Sequence, residues 1–223
     1  MRPLLPREVD GYLVELVKAQ HADQVLTEME SRADELRFPI VGRAVGRFLE
    51  LQARAIGARR VVELGSGYGY SAYWFARAVG EDGEVVCTDA DPANARLAEN
   101  YLRRAGLWAP VRYLVGDALA GLAEVDGELD VVYCDIDKDG YPGAWAAAAE
   151  RLRVGGLFLC DNVLWDGRVA GLAPEGEPAE VAASRASVTD AIVAMSREIA
   201  SDPRYVSSVV PIRDGVLVAL RVA

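Results

Sequence analysis

A strand, a glycine-rich turn and the start of a helix follow one another over residues 61–71, with the sequence VVELGSGYGYS. The apolar pair at the beginning indicates the end of a buried strand, and the carboxylate of Glu63 follows it. Glycines then occur at alternate positions: Gly65, Gly67 and Gly69. This order of elements lets the backbone come close to a nucleotide-like ligand at a helix N-terminus.

The spacing of the glycines argues against a dinucleotide. A dinucleotide fingerprint has the form G-x-G-x-x-G, and Tyr70 stands where it requires the third glycine. The carboxylate of Glu63, just before the glycines, suits a cationic ligand better than a pyrophosphate. S-adenosylmethionine carries an ammonium and a sulfonium and no phosphate, so the turn favours it. An ordinary strand-to-helix turn also fits the stretch taken alone.

The composition excludes several other classes of protein. With 223 residues, the chain suits one domain with a substantial core. No apolar run approaches the ~18 residues of a membrane span, and the first residues lack a signal-peptide core. The net charge of −10 argues against a broad nucleic-acid surface, and a single histidine, His21, argues against a zinc site. Three cysteines in apolar runs predict buried free thiols and a reducing cytoplasm: Cys87, Cys134 and Cys160.

Helices are predicted before the glycine turn. Apolar residues recur at helical spacing in two helices within 6–36 and in a third over 42–56, which Gly57 ends. We expect the following side chains to face the core: Val9, Tyr12, Leu13, Leu16, Val17, Val25, Leu26, Met29, Leu36, Val45, Phe48, Leu49 and Leu51.

Strands and helices alternate after residue 60. Five apolar strands are predicted over 60–64, 84–88, 111–115, 129–134 and 156–160. Continuous apolar strands joined by helices indicate a parallel sheet with helices on both faces. Two further strands, 205–212 and 216–222, are separated by a turn containing Asp-Gly, which predicts an antiparallel hairpin. The predicted fold is therefore α/β, with a mostly parallel seven-stranded sheet, as in class I methyltransferases. Residues 165–180 are predicted to form a mobile loop, followed by a helix over 182–200.

Carboxylates stand where strands two and three end, which is the ligand-binding edge of an open α/β sheet. Asp89 comes 24 residues after Gly65 and can accept both ribose hydroxyls of an adenosine. Asp91 competes for that role. Asp117, with Ala118 beside it, is placed to reach an adenine edge.

Acidic residues also follow strands four and five. The fourth strand is followed by Asp135-Ile-Asp-Lys-Asp139, and the fifth by Asp161 and Asn162. If these strands are neighbours, Asp135, Asp161 and Asn162 form an oxygen-only set that suits Mg²⁺, Ca²⁺ or Mn²⁺. Helix capping would explain either group alone, but it explains both together poorly.

Three stretches together, 63–71, 135–141 and 161–167, resemble the cation-dependent O-methyltransferases, a group that includes caffeoyl-coenzyme A and catechol enzymes and small bacterial relatives. The resemblance covers roughly residues 40–223. It implies that Asp135, Asp161 and Asn162 bind the metal and that Lys138 and Asp135 are catalytic, with Lys138 as general base. It also implies that S-adenosylmethionine contacts the following residues: Glu63, Gly65, Ser71, Asp89, Ala118 and Asp137.

The implied reaction is methyl transfer to one hydroxyl of a vicinal aromatic diol, of catechol, caffeoyl or flavonoid type. The cation would be Mg²⁺, or else Ca²⁺ or Mn²⁺, in a cytoplasmic homodimer. Within one domain, the helices of 1–57 would cover the substrate side and 58–223 would form the cofactor-binding core. Trp165 and Tyr141 are candidates for walling the aromatic ring, although ordinary core packing explains them equally well.

Two departures from the family pattern, Asp166 and the stretch 37–41, leave the acceptor open. A transfer RNA hydroxyuridine methyltransferase of the same fold is an alternative, as is a non-catalytic or oxidoreductase nucleotide-binding protein. Lys138 could instead only balance the neighbouring carboxylates.

Overall fold

The computed structural model describes residues 6–172 and 176–223. Within them, Pro6–Asp126 and Gly127–Ala223 form two compact units. No helix of the described part is long and apolar enough to cross a membrane. The three cysteines are free and buried, which confirms that prediction.

The N-terminal unit begins with three helices and continues as an alternation of strands and helices. Its elements are α1 (Arg7–Gln20), α2 (Gln24–Leu36), α3 (Gly42–Ala55), β1 (Arg60–Leu64), α4 (Tyr70–Val79), β2 (Glu84–Asp89), α5 (Pro92–Arg104), β3 (Val111–Val115) and α6 (Ala118–Ala123). The strands β1 and β2 pair in parallel, as do β2 and β3. All three follow the predicted bounds within one residue, because a strand buried on both faces is a continuous apolar run.

The C-terminal unit contains the other four strands. Its elements are β4 (Leu129–Cys134), a short 3-10 helix (Lys138–Gly140), α7 (Tyr141–Ala149), β5 (Leu152–Cys160), a second 3-10 helix (Trp165–Ala170), α8 (Ala179–Ser201), β6 (Tyr205–Val210) and β7 (Val216–Arg221). The strands β4 and β5 are parallel, whereas β7 is antiparallel to both β5 and β6. The seven strands have the order β3-β2-β1-β4-β5-β7-β6, which confirms the predicted fold class.

Several boundaries in this unit differ from the prediction, including the end of β6, which lies at Val210 and not at residue 212. Strand β5 begins at Leu152, four residues before the predicted start, and its pairing with β4 shifts register between Leu129 and Val131. The predicted loop 165–180 is wrong at its beginning, where Trp165–Ala170 is a 3-10 helix, and at its end, where α8 starts at Ala179. Residues 173–175 of that predicted loop lie outside the described residues.

The predicted core faces of the first three helices are only partly correct. Five of the expected side chains are buried: Val25, Leu26, Met29, Val45 and Leu49. On α1, however, Val9, Tyr12 and Leu16 are exposed by 43%, 63% and 43%, and Leu36 and Leu51 are exposed by 59% and 60%. Helical spacing identifies the apolar side of a helix, but it does not say whether another element covers that side.

A buried carboxylate ties α3 to α4. Glu50 is 2% exposed and pairs with Arg47 at 2.7 Å, with Arg54 at 2.9 Å and with Arg77 of α4 at 3.5 Å. Burial raises the pKa of Glu50. The hydrogen bonds from Arg47 and Arg54 and the charge of Arg77 together lower it by more, so the pKa of Glu50 lies below its ordinary value.

Candidate active site

The glycine turn is fixed from the two strands beside it. The Thr88 hydroxyl of β2 donates to the Glu63 carbonyl at 2.9 Å, and the amide of Ser66 donates to the Thr88 carbonyl at 2.8 Å. The hydroxyl of Tyr113, on β3, donates to the carbonyl of Gly67. These bonds hold the turn where β1 ends.

Helix α4 begins directly after this turn. Gly69 is its N-cap with φ +88°, and a Cβ there would lie 2.9 Å from the Cβ of Ala98, so that both conformation and space require glycine. Ser71, in the first turn of α4, is 5% exposed. The N-terminus of α4 thus presents backbone amides beside a turn in which three glycines have no side chain to keep a ligand away.

Tyrosine hydroxyls explain why the third glycine of the dinucleotide fingerprint is absent. The hydroxyl of Tyr70 donates to Glu30 of α2 at 2.7 Å, and that of Tyr68 donates to the Met29 carbonyl at 2.9 Å. Arg43 of α3, 4% exposed, donates to the same Glu30 carboxylate at 2.8 Å. The glycine turn of this chain therefore also anchors α2, a contact that the sequence pattern did not reveal.

The carboxylate of Glu63 is fully buried at the end of β1. It lies opposite Cys87 in the pairing of β1 with β2, and the Cys87 thiol donates to its Oε2 at 3.7 Å. Burial, and then the charge of Glu63, raises the pKa of Cys87 well above its ordinary value, so the thiol remains protonated. Glu63 is thus a buried carboxyl group immediately before the glycines.

The carboxylate of Asp89 at the end of β2 is partly exposed and already accepts three hydrogen bonds. Its Oδ1 accepts from the Asp91 amide at 2.8 Å and from Asn94 at 3.0 Å, and its Oδ2 accepts from the Gly67 amide at 3.0 Å. A carboxylate has about four acceptor positions. Binding both ribose hydroxyls therefore requires one of these partners to give way.

Asp91 and Asp117, which the sequence also offered for nucleoside binding, are both helix N-caps. The Asp91 carboxylate accepts from the Ala93 amide at 2.8 Å as the N-cap of α5. The Asp117 carboxylate accepts from the Ala120 amide at 2.8 Å as the N-cap of α6, whose first residue is Ala118. Both carboxylates are exposed.

In the C-terminal unit, the structure brings the two predicted carboxylate ligands to the same level of adjacent strands. Cys134 of β4 lies opposite Cys160 of β5, and the Asp161 amide donates to the Cys134 carbonyl at 3.1 Å. Asp135 and Asp161 are the residues that immediately follow this pair. Among the described residues, no group of three or more His, Cys, Asp or Glu side chains is arranged to hold a metal. The predicted set has two carboxylates and one amide, Asn162.

Asp161 is 3% exposed, and its Oδ1 has no hydrogen-bond partner among the described residues. Burial, and then the charge of Asp135, raises the pKa of Asp161 to about 7. Burial also raises the pKa of Asp135, although Lys138 and Arg213 act in the opposite direction. An orphaned buried carboxylate oxygen beside a second carboxylate is a costly arrangement without a cation. The donor set therefore fits a hard divalent ion.

Lys138 contacts the first of these carboxylates. Its Nζ donates to Asp135 Oδ1 at 3.2 Å and to the Ile136 carbonyl at 3.2 Å, and it lies 5.0 Å from the centroid of the Tyr141 ring. Tyr141 is fully buried, and its hydroxyl donates to the Asp161 carbonyl at 2.7 Å. Tyr141 therefore supports the carboxylates from inside the core, which agrees with the core-packing alternative for this residue. Asp137, predicted to contact the cofactor, is exposed.

The chain matches the O-methyltransferase family over residues 10–222. It is 34% identical over 181 residues to a catechol O-methyltransferase of Mycobacterium tuberculosis, a match that covers 81% of each chain. It is 30% identical over 183 residues to caffeoyl-CoA O-methyltransferase 2 of Populus trichocarpa, covering 79% of this chain and 72% of that one.

The chain belongs to the O-methyltransferase family. Its fold is similar to that of the O-methyltransferase TomG from Streptomyces achromogenes, solved in complex with S-adenosylmethionine, with a TM-score of 0.82, 26% identity and coverage of 97% and 96%. The protein is thus an S-adenosylmethionine-dependent O-methyltransferase of the caffeoyl-CoA and catechol type. This confirms the resemblance and the expectation of an enzyme, and it excludes the non-catalytic alternative.

Sequence reasoning missed two groups at the carboxylate end of this methyltransferase. The positive charge of Arg213 lowers the pKa of Asp135 and of Asp161, against the effect of burial. Asp214, 2% exposed, binds the loop after β5. Both residues belong to the turn between β6 and β7, whose Asp-Gly pair was sufficient to predict the hairpin and therefore suggested no second role.

Proposed function

We propose that this enzyme transfers the methyl group of S-adenosylmethionine to one hydroxyl of a vicinal aromatic diol and requires a divalent cation, Mg²⁺ or else Mn²⁺ or Ca²⁺. The observation that carries the proposal is the buried Oδ1 of Asp161, which has no partner among the described residues and belongs to a carboxylate next to that of Asp135. Asp135, Asp161 and Asn162 would hold the ion. A bound divalent cation supplies Lewis acidity, which favours ionisation of a phenolic hydroxyl near neutral pH.

The reacting hydroxyl of the acceptor gives its proton to a basic side chain of the enzyme. Lys138 Nζ, which is held against Asp135, is the group we assign to take that proton. It does so in its neutral form. The phenolate oxygen then forms a bond to the methyl carbon while the bond from that carbon to the sulfonium sulfur breaks, which gives a methyl ether and S-adenosylhomocysteine.

The methyl donor is assigned to the glycine turn. Glu63 supplies a buried negative charge for the cationic methionine part, and Gly65 and Ser71 flank the open N-terminus of α4. Asp89 is assigned to the ribose, Ala118 to the adenine, and Asp137 to a further cofactor contact. Charge is lost when an anion attacks a sulfonium, so a site that excludes water favours this reaction.

The substrate class rests on the relatives, which are named for catechol and for caffeoyl-CoA. Three buried free thiols support a reducing cytoplasm as the place of action. The homodimer remains a proposal made from the family resemblance.

Methyl transfer to a panel of catechols, flavonoids and caffeoyl esters, with Mg²⁺ and with excess chelator, tests the proposal. We expect turnover only with the metal. Asp161→Asn keeps the side-chain shape but removes a charge, and it should abolish activation by Mg²⁺. Asp139→Asn should not, because Asp139 is an exposed carboxylate in the segment after β4 and is not one of the assigned ligands. Full turnover in chelator would refute the metal requirement. Methylation of bulk transfer RNA, with no diol accepted, would favour the nucleic-acid alternative.

Lys138→Ala distinguishes a general base from a lysine that only balances the charge of the neighbouring carboxylates. If Lys138 is the base, turnover should fall by about 10²–10⁴-fold while the affinity for S-adenosylhomocysteine stays unchanged. A variant that keeps wild-type turnover between about pH 7 and 9 would leave Lys138 only the role of balancing the carboxylates.

A further inference from the structure

The loop after β5 has an unusual backbone. Asn162, Trp165 and Asp166 all have positive φ values, of 54°, 50° and 55°. Asparagine and aspartate tolerate this conformation better than most residues, but it is costly for tryptophan. Three left-handed non-glycine residues within five positions need support from outside the loop.

That support comes from the turn between β6 and β7. The Val163 amide donates to the Gly215 carbonyl at 3.1 Å, and the Leu164 amide donates to the Asp214 carbonyl at 2.9 Å. The side chain of Asp214 adds a third bond, because its Oδ1 accepts from the Asp166 amide at 2.8 Å. Three amides of the loop are therefore hydrogen-bonded to two residues of one turn.

The contact is also closely packed. A Cβ at Gly215 would lie 2.5 Å from Cγ of Leu164, so there is no space between the turn and the loop. Asp214 itself is 2% exposed, and a buried carboxylate is retained only where its hydrogen bonds compensate the loss of water. Its carboxylate accepts a hydrogen bond from the loop at Asp166, the last of the three left-handed non-glycine residues.

We propose that Asp214 is a positioning residue that holds loop 162–166, and with it Asn162 beside Asp161, in the conformation able to bind the cation. This inference rests on the metal site of the proposed function. Asp214 is not assigned as a ligand of the ion. It acts through the backbone of the loop, and groups that orient metal ligands in this way affect metal affinity strongly.

Three variants test the inference. Asp214→Ala removes the acceptor, and Asp214→Asn keeps an oxygen acceptor of nearly the same shape. The matched control is Asp202→Ala, because Asp202 also accepts a backbone amide, that of Arg204 at 2.9 Å, at the other end of β6. S-adenosylhomocysteine affinity, measured by calorimetry, reports whether each variant is folded.

Hydrogen exchange at the amides of Val163, Leu164 and Asp166 is the first readout, and it needs no metal. We expect exchange at least about tenfold faster in Asp214→Ala, and rates near wild type in Asp214→Asn and Asp202→Ala. The second readout is Mn²⁺ affinity by calorimetry on the chelator-treated protein, where Asp214→Ala should lose about 10- to 100-fold and the other two variants should lose little.

A folded Asp214→Ala variant with wild-type exchange and wild-type Mn²⁺ affinity would overturn the inference, as would equal losses in Asp202→Ala. Faster exchange with unchanged Mn²⁺ affinity would also refute the positioning role. If the wild-type protein binds no Mn²⁺, the metal part of the proposed function fails, and positioning for a cation fails with it, while the exchange rates still decide whether Asp214 holds the loop.

Discussion

Replacement of Gly46 by alanine tests the packing that supports the glycine turn. Gly46 lies in α3 against the indole of Trp74 in α4, where an added Cβ would be 2.1 Å from Nε1 and 2.4 Å from Cδ1. The indole is fully buried and has little room to turn, because the rings of Tyr73 and His21 pack against it with centroids 5.5 Å and 5.8 Å away.

Two opposing effects set the change in the free energy of unfolding that Gly46→Ala causes. Alanine favours the helical backbone over glycine by about 1 kcal/mol, and overpacking of a rigid core costs about 1–3 kcal/mol. Distances this far below van der Waals contact place the cost at the upper end, so we expect a net loss of about 2 kcal/mol. For a chain of this size that corresponds to a fall in Tm of roughly 4–8 °C.

Gly11→Ala is the matched control, because Gly11 is also helical, in α1, and an added Cβ there meets nothing within 4 Å. It should raise the Tm by roughly 1–4 °C. Thermal unfolding of both variants measures the difference. Because α4 begins at the glycine turn, Gly46→Ala should also weaken S-adenosylhomocysteine binding. A Gly46→Ala variant at least as stable as Gly11→Ala would refute the contact, and Trp74→Phe should reduce the cost of Gly46→Ala if the contact is real.

Three further predictions concern the site and its surroundings. Tyr113→Phe removes only a hydroxyl group and with it the hydrogen bond to the Gly67 carbonyl, worth about 1 kcal/mol. Calorimetry should show S-adenosylmethionine binding weakened about fivefold. The pKa of Glu50 is lowered in the folded state, so its stabilisation relative to Glu50→Gln is present above the ordinary pKa of 4.5 and is lost as pH falls through the lower folded value; denaturant titrations at several pH values should show that pattern. The pKa of Asp161 is raised to about 7, so protons compete with the cation below that pH, and Mn²⁺ affinity should fall as pH drops from 8 to 6; a pH-independent affinity would contradict the assignment of Asp161 as a ligand.

The strands could be predicted from the sequence because their signal is local. Buried parallel strands are uninterrupted apolar runs, and β1, β3 and β4 have the predicted bounds. Strand β5 was predicted too short, because Gly155 and Gly156 interrupt the apolar run, whereas the strand continues past them with a φ of +83° at Gly155. The failure at α1 is of another kind, since whether Tyr12 is covered depends on elements distant in the sequence.

The chemistry-bearing residues could likewise be predicted from their positions. Residues that follow adjacent parallel strands reach the same edge of a sheet, so Asp135 and Asp161 could be placed together once β4 and β5 were expected to be neighbours. The partners of these residues could not be predicted in the same way. Tyr113 and Gly67 are 46 residues apart, and Asp166 and Asp214 are 48 residues apart. No spacing rule connects such pairs, because each depends on the register of strands and turns that the rest of the chain sets.

The hydrogen-bonding groups around the end of β5 give evidence for a ligand that the positions of the residues alone do not give. Around the end of β5, the loop amides of Val163, Leu164 and Asp166 all have acceptors, and the Asp161 carbonyl accepts from Tyr141. The Oδ1 of Asp161, like the Nε1 of Trp165 in that loop, is a buried polar atom with no partner among the described residues, and it belongs to a carboxylate. Folding could have satisfied it with a nearby donor, as it satisfied Asp214, and selection for stability alone would favour that result. A carboxylate oxygen left without a partner beside a second carboxylate, next to a loop whose amides make three hydrogen bonds to the β6–β7 turn, is therefore better explained by a ligand that binds after folding than by the needs of the fold.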